Sequence, residues 1–140
     1  MAQWVIFALL SALSAALVAI FGKIGVAKVD TTLATTVRAI IMAAFLFLIS
    51  LSLGKFESIH NFGGNTIFFI ILSGIAGAVS WLFYFNALKS GPAAGVASID
   101  RLSVVFVLIF AIIFLGDKLT WKSGLGAVLI TLGAILMSLK

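Results

Sequence analysis

Cysteine is absent from this chain, and histidine occurs once, at His60. The first absence excludes a disulfide framework and a thiolate metal site, and the second excludes a histidine-cluster metal site within one chain. Charge is scarce as well. Four acidic and nine basic residues in 140 amount to 9%, against roughly a quarter in soluble domains. Such a chain cannot cover itself with a solvated charged surface, and no polar stretch is long enough to form a separate soluble domain. No G-x-x-x-x-G-K-[ST] loop occurs, and no nucleophile is grouped with a base, so neither nucleotide hydrolysis nor covalent catalysis is expected. No cofactor is implied. The net charge of +5 comes from Lys and Arg scattered one or two per loop, which reads as membrane flanks and not as a nucleic-acid surface. The opening run MAQWVIFALL has no basic n-region and no A-x-A-like cleavage region follows it, so it reads as a retained first span and not as a signal peptide.

What fills the chain is apolar. Hydrophobic residues make up 64% of it, with a mean hydropathy of +1.34. A bilayer crossing takes roughly 20 such residues, and five runs qualify: 4–21, 31–53, 66–88, 93–115 and 121–139. The expectation is an all-α, polytopic, multi-pass protein of the cell membrane, a single domain over 1–140 with five transmembrane helices. Local punctuation agrees. Asp30 or Thr31 can cap the second helix, Ser90-Gly91-Pro92 breaks the chain before the fourth, and Gly116-Asp117 separates the fourth from the fifth. Loops this short make sequential helices antiparallel neighbours: the first two as one hairpin, the last three as a zigzag. Five spans put the termini on opposite sides. Lys23, Lys28, Lys89 and Lys140 fall on one face, joined by Arg38 and Arg101 if these snorkel there; Lys55, Lys118, Lys122 and the N-terminal amine fall on the other. The positive-inside rule then favours N-out, C-in, by so small a margin that dual topology stays open. Small residues such as Gly74, Gly77, Gly126 and Gly133 read as sites of close helix approach.

Polar groups inside the spans carry the functional expectation. Arg38 lies seven residues into the second span and Asp100 seven residues beyond Ala93, so both sit roughly 10 Å below the same membrane face. Arg38, Tyr84, Asn86, Ser98, Asp100, Arg101 and Ser103 can therefore form one polar layer, a vestibule or gate. The plainer alternative is that Asp100 neutralises an arginine while the arginine side chains reach the headgroups. Adjacent residues do not face each other on a helix, which makes Asp100 a partner for Arg38 before Arg101. Trp81 and Phe85, four apart on the third span, either line an aromatic substrate path or pack against lipid and helix. Trp4 and Trp121 stand at span ends as interface anchors.

The stretch from Tyr84 to Ala134 has a more specific pattern. Tyr84-Phe85-Asn86-Ala87-Leu88-Lys89 precedes Gly91-Pro92-Ala93, then come Leu102-Ser103-Val104-Val105-Phe106 and Phe114-Leu115-Gly116-Asp117-Lys118-Leu119-Thr120, and finally Gly126 with Leu132-Gly133-Ala134. In order and spacing this resembles the EamA domain of the drug/metabolite transporter superfamily; the first 60 residues fit in hydropathy and length. The run from Ile99 to Ser103 is similar to the branch with a single five-span domain. Many relatives carry proline where Ser98 stands, and its absence here removes a proline kink from what the resemblance implies. The resemblance implies a secondary transporter, usually an exporter, of small metabolites or drugs. It also implies that this chain is half of a ten-helix inverted-repeat fold, completed by an antiparallel homodimer or by a homologous half-transporter. Small four-span multidrug exporters use an acidic residue in their first helix; residues 4–21 have none, leaving Asp100 as the one carboxylate inside a span and the candidate for proton coupling. Two other functions stay open: a translocase of lipid-linked substrates, with Arg38 and Arg101 holding a phosphate, and a non-transporting membrane partner protein. The candidate substrate or coupling residues are Arg38, Trp81, Tyr84, Asn86, Ser98, Asp100, Arg101 and Ser103.

Overall fold

The computed structural model describes residues 3–139, with residues 60 and 61 described by backbone alone. The His60 side chain, Lys140 and the N-terminal amine, weighed above, lie outside the described residues, as does the Asn61 side chain. Among the described residues, six α-helices follow one another: α1 (Gln3–Gly25), α2 (Thr31–Ser52), α3 (Gly64–Ser90), α4 (Ala93–Asp100), α5 (Ser103–Phe110) and α6 (Trp121–Ser138). A 3₁₀ segment, Lys55–Asn61, fills much of the loop between α2 and α3, and a π-helical stretch, Ala111–Leu115, prolongs α5. With α4, α5 and that stretch taken together, five helices among the described residues are long and apolar enough to cross a membrane.

Nearly every large apolar side chain on these helices is exposed. Leu13, Phe45, Ile71, Val107 and Leu136 are typical. In water such a surface would collapse or aggregate; a lipid bilayer is the solvent that suits it. The polar side chains obey the same constraint. Ser14 donates to the Leu10 carbonyl, Thr35 to Thr31, Thr36 to Thr32 and Thr131 to Ala127. Each hydroxyl is satisfied inside its own helix, as hydrocarbon requires. The chain is an all-α polytopic membrane protein.

Local chemistry accounts for most boundaries. Asp30, extended, accepts at 2.8 Å from the Leu33 N–H and starts α2. Thr120 and Ser123 form a reciprocal capping box at the start of α6. Pro92 is the N-cap of α4, with φ near −66°. Gly116 ends the fourth span at φ 70°, in the left-handed region where glycine carries no Cβ penalty. α1 runs four residues beyond the expected 21 because one interior glycine, Gly22, costs a helix only about 1 kcal/mol and Gly25 is where it ends.

The chain divides into two compact units. One comprises residues 1–24 and 90–140, the other residues 25–89. The first unit holds α1, α4, α5 and α6, and the second holds α2 and α3. Side-chain ties join distant segments within each unit. In the first unit, Lys23 near the end of α1 donates at 2.9 Å to the Gly91 carbonyl, just ahead of α4. α4 packs closely on α6; a Cβ on Gly95 would lie 3.6 Å from the Met137 carbonyl and 3.2 Å from the Pro92 ring. In the second unit, Lys89 at the end of α3 donates at 2.9 Å to the Val29 carbonyl ahead of α2. Two lysines expected to be simple membrane flanks therefore fasten loops. Gly95 is a close-approach glycine of the first unit, whereas a Cβ on Gly126 or Gly133 would meet nothing within 4 Å.

Candidate functional site

Thr31, Thr35 and Arg38 stand at i, i+4 and i+7 on α2, so they share one face. Trp81, Tyr84, Phe85 and Leu88 stand at i, i+3, i+4 and i+7 on α3, again one face. These faces meet. Thr31 Oγ1 donates to Asn86 Oδ1 at 2.7 Å, and Asn86 Nδ2 donates back to the Leu82 carbonyl at 2.9 Å. Two turns farther along α2, the Arg38 guanidinium carbon lies 3.7 Å from the centroid of the Trp81 ring and 5.5 Å from that of Phe85. The three rings of α3 also touch one another. Centroids are 5.4 Å apart for Trp81 and Tyr84, 5.6 Å for Trp81 and Phe85, and 6.3 Å for Tyr84 and Phe85. Phe85 is buried, while Arg38, Trp81 and Tyr84 are half-buried.

An arginine at the centre of a spanning helix costs about 2.5–3.5 kcal/mol on insertion scales. A cation over an aromatic face recovers about 0.5–2 kcal/mol, more as water is excluded. The aromatic contact thus offsets much of the burial and leaves a remainder. It takes up charge but offers no oxygen to the five guanidinium N–H groups. Within the described residues of this unit, neither a carboxylate nor a hydrogen-bond acceptor meets them.

The other four candidates lie in the first unit, around a break in the fourth span. Expected to be continuous over 93–115, this span stops at Asp100 and restarts at Ser103. The cause is a tightened turn. Arg101 N–H donates to the Ser98 carbonyl, Leu102 to Ile99, Val104 to Arg101 and Val105 to Leu102. Each bond reaches three residues back, the 3₁₀ pattern, in place of the α-helical four. Removing the proline therefore does not restore a uniform helix. Ser98 is buried with its hydroxyl bonded to the Gly95 carbonyl at 2.8 Å. Asp100, Arg101 and Ser103 are exposed. Asp100 and Arg101 do not pair with each other, as helical geometry led us to expect.

Of the eight candidates, then, Arg38, Trp81 and Tyr84 form one cluster in the second unit, with Asn86 beside it as a structural tie. Ser98, Asp100, Arg101 and Ser103 mark the helix break in the first. Sequence reasoning left Phe85 off the candidate set although its spacing from Trp81 was plain. It also missed Lys23 and Lys89 as ties, since nothing in sequence announces which carbonyl a loop lysine will reach.

Residues 2–139 match the EamA-like transporter family. The chain belongs to that family. A Sinorhizobium protein described as an uncharacterized transporter in the cobO 3′ region is 43% identical over 136 residues, covering 97% of this chain and 96% of the relative. No solved structure matches. The family match takes in the first 60 residues, which in sequence had shown only hydropathy and length. For an EamA-like protein the Arg38–Trp81 cluster and the Asp100–Arg101 break become the two intramembrane features to explain.

Proposed function

We propose that this EamA-like protein is a secondary transporter, working as an exporter of small metabolites or drugs from the cell, by alternating access in an antiparallel dimer. Support comes first from the broken fourth span. Transporters build substrate and ion sites from discontinuous helices, because an interrupted backbone is tolerated at membrane depth only where it faces protein or a water-filled cavity. Here the interruption coincides with the charged pair Asp100-Arg101, seven and eight residues beyond Ala93, roughly 10–12 Å into the span. Asp100 is the carboxylate suited to carry a coupling proton. A path across the membrane needs walls on all sides, and five spans form half of the ten-span arrangement of two-domain relatives; a second copy in the opposite orientation supplies the rest.

Topology and pairing are tested together by single cysteines at Ser58 and Ser90, since the chain has no native cysteine. An antiparallel dimer labels each site from both sides of the membrane and crosslinks Ser58→Cys to Ser90→Cys between chains. Labelling of each site from one side only rules that dimer out and directs the search to a homologous partner chain. Flux of soluble compounds from proteoliposomes tests transport itself; binding of anionic headgroups without any such flux favours a lipid-linked substrate.

A further inference from the structure

We infer that Arg38, seated on Trp81, is an anion-receiving group, and that the molecule handled here is a small organic anion: a carboxylate or phosphate attached to an apolar body. This rests on the transporter reading and adds its substrate class.

Three observations carry it. The guanidinium lies in the apolar part of the chain, on α2, with ring faces at 3.7 and 5.5 Å and no oxygen partner among the described residues of its unit. The polar groups nearest it in sequence register are engaged elsewhere. Asn86 Oδ1 accepts from Thr31, and Thr35 donates to the Thr31 carbonyl. Neither is offered to Arg38, so this is not a closed internal network. Finally, the rings are already assembled: Trp81, Tyr84 and Phe85 contact one another and Phe85 is buried, which holds the guanidinium in place before any ligand arrives.

Arginine differs from lysine in offering a planar fork that grips a carboxylate or phosphate through two N–H groups. A cation fixed on a ring face, with N–H groups left over in a low-dielectric setting, attracts an anion strongly. An inorganic ion would meet the charge but waste the apolar surroundings and lose its full hydration shell. An anion with a hydrocarbon or aromatic body satisfies both, its head on Arg38 and its body against the half-buried Trp81 and Tyr84. A cationic compound meets an uncompensated like charge and is rejected.

The test uses the full chain carrying Trp4→Phe and Trp121→Phe, so that Trp81 is the remaining tryptophan. It is reconstituted in phosphatidylcholine nanodiscs, and Trp81 emission is read while phenylphosphonate, phenylacetate, benzylamine or inorganic phosphate is added. The two organic anions are expected to change the emission saturably, and benzylamine is not. Arg38→Lys keeps the charge but not the fork and should weaken the anions roughly tenfold, equal to about 1.4 kcal/mol; Arg38→Gln should remove the response. Size-exclusion profiles and helical signal establish that each variant is folded, and Arg38→Lys keeps the test decisive if Arg38→Gln fails to insert. Loss of the anion response in discs containing phosphatidylglycerol, with its return in phosphatidylcholine alone, assigns the anion to a lipid headgroup and supports the site. Equal responses to benzylamine and phenylphosphonate, or an unchanged response in Arg38→Gln, overturn the proposal. Proteoliposome flux of the same probes separates the two readings. Arg38-dependent binding with no flux keeps the site and defeats transport, whereas flux indifferent to Arg38 keeps transport and defeats the site.

Discussion

The Arg38 guanidinium rests 3.7 Å above the Trp81 ring, a cation on α2 held by an aromatic face on α3. Both residues belong to the same compact unit. The contact is the means by which this unit keeps a permanent charge inside an apolar helix pair without a carboxylate partner, and it explains why a tryptophan sits well inside a span and not at the membrane interface.

That pairing has a measurable coupling. In a double-mutant cycle of Arg38→Met and Trp81→Leu, the interaction energy is expected at about 1 kcal/mol favourable. Steric-trap or denaturant unfolding in bicelles reads it. Strict additivity of the two single changes would show that the ring contributes packing alone.

Gly95 is the point where α4 closes on α6. A methyl there meets the Pro92 ring at 3.2 Å and the Met137 carbonyl at 3.6 Å. Gly95→Ala should be tolerated with a small loss, because the proline ring can repucker. Gly95→Leu should destabilise by about 1–3 kcal/mol, the usual range for overpacking. Thermal unfolding in detergent checks both. Gly126→Leu, at a position with open space, serves as the comparison and should cost less.

Lys23 binds the carbonyl of Gly91 across 68 residues of sequence. Lys23→Met keeps the apolar stem and removes the donor. The expected loss is about 1–2 kcal/mol, below the upper range for charged hydrogen bonds because the pair is only partly buried. Faster hydrogen exchange in the first turn of α4, with α2 unaffected, would locate the effect; uniform loosening of the chain would contradict it.

Asp100 closes α4 at the helix break and is exposed. If it carries the coupling proton, Asp100→Asn should abolish flux driven by a pH gradient while leaving substrate exchange across equal pH intact. Liposome flux with imposed gradients measures this. Gradient-driven flux at the level of the unmodified protein would remove Asp100 from the mechanism.

Much of this protein was legible before any coordinates. Five apolar runs dictate five spans because a bilayer leaves backbone groups no partner but their own helix, and the cap at Asp30 follows from a side chain that bonds a first free N–H group. The family was legible too, from Tyr84 to Ala134. The tertiary structure decided what hydropathy is blind to. Hydropathy cannot group helices, because every face is apolar and lipid competes equally for each; the ties of Lys23 and Lys89 and the close approach at Gly95 exist only in the fold. Nor does periodicity foresee the break at Arg101, where the hydrogen bonds shorten by one residue without a proline to force them. Placing Arg38 over Trp81 rather than beside another polar group likewise depends on two helices meeting face to face, a relation that exists only once the chain is folded.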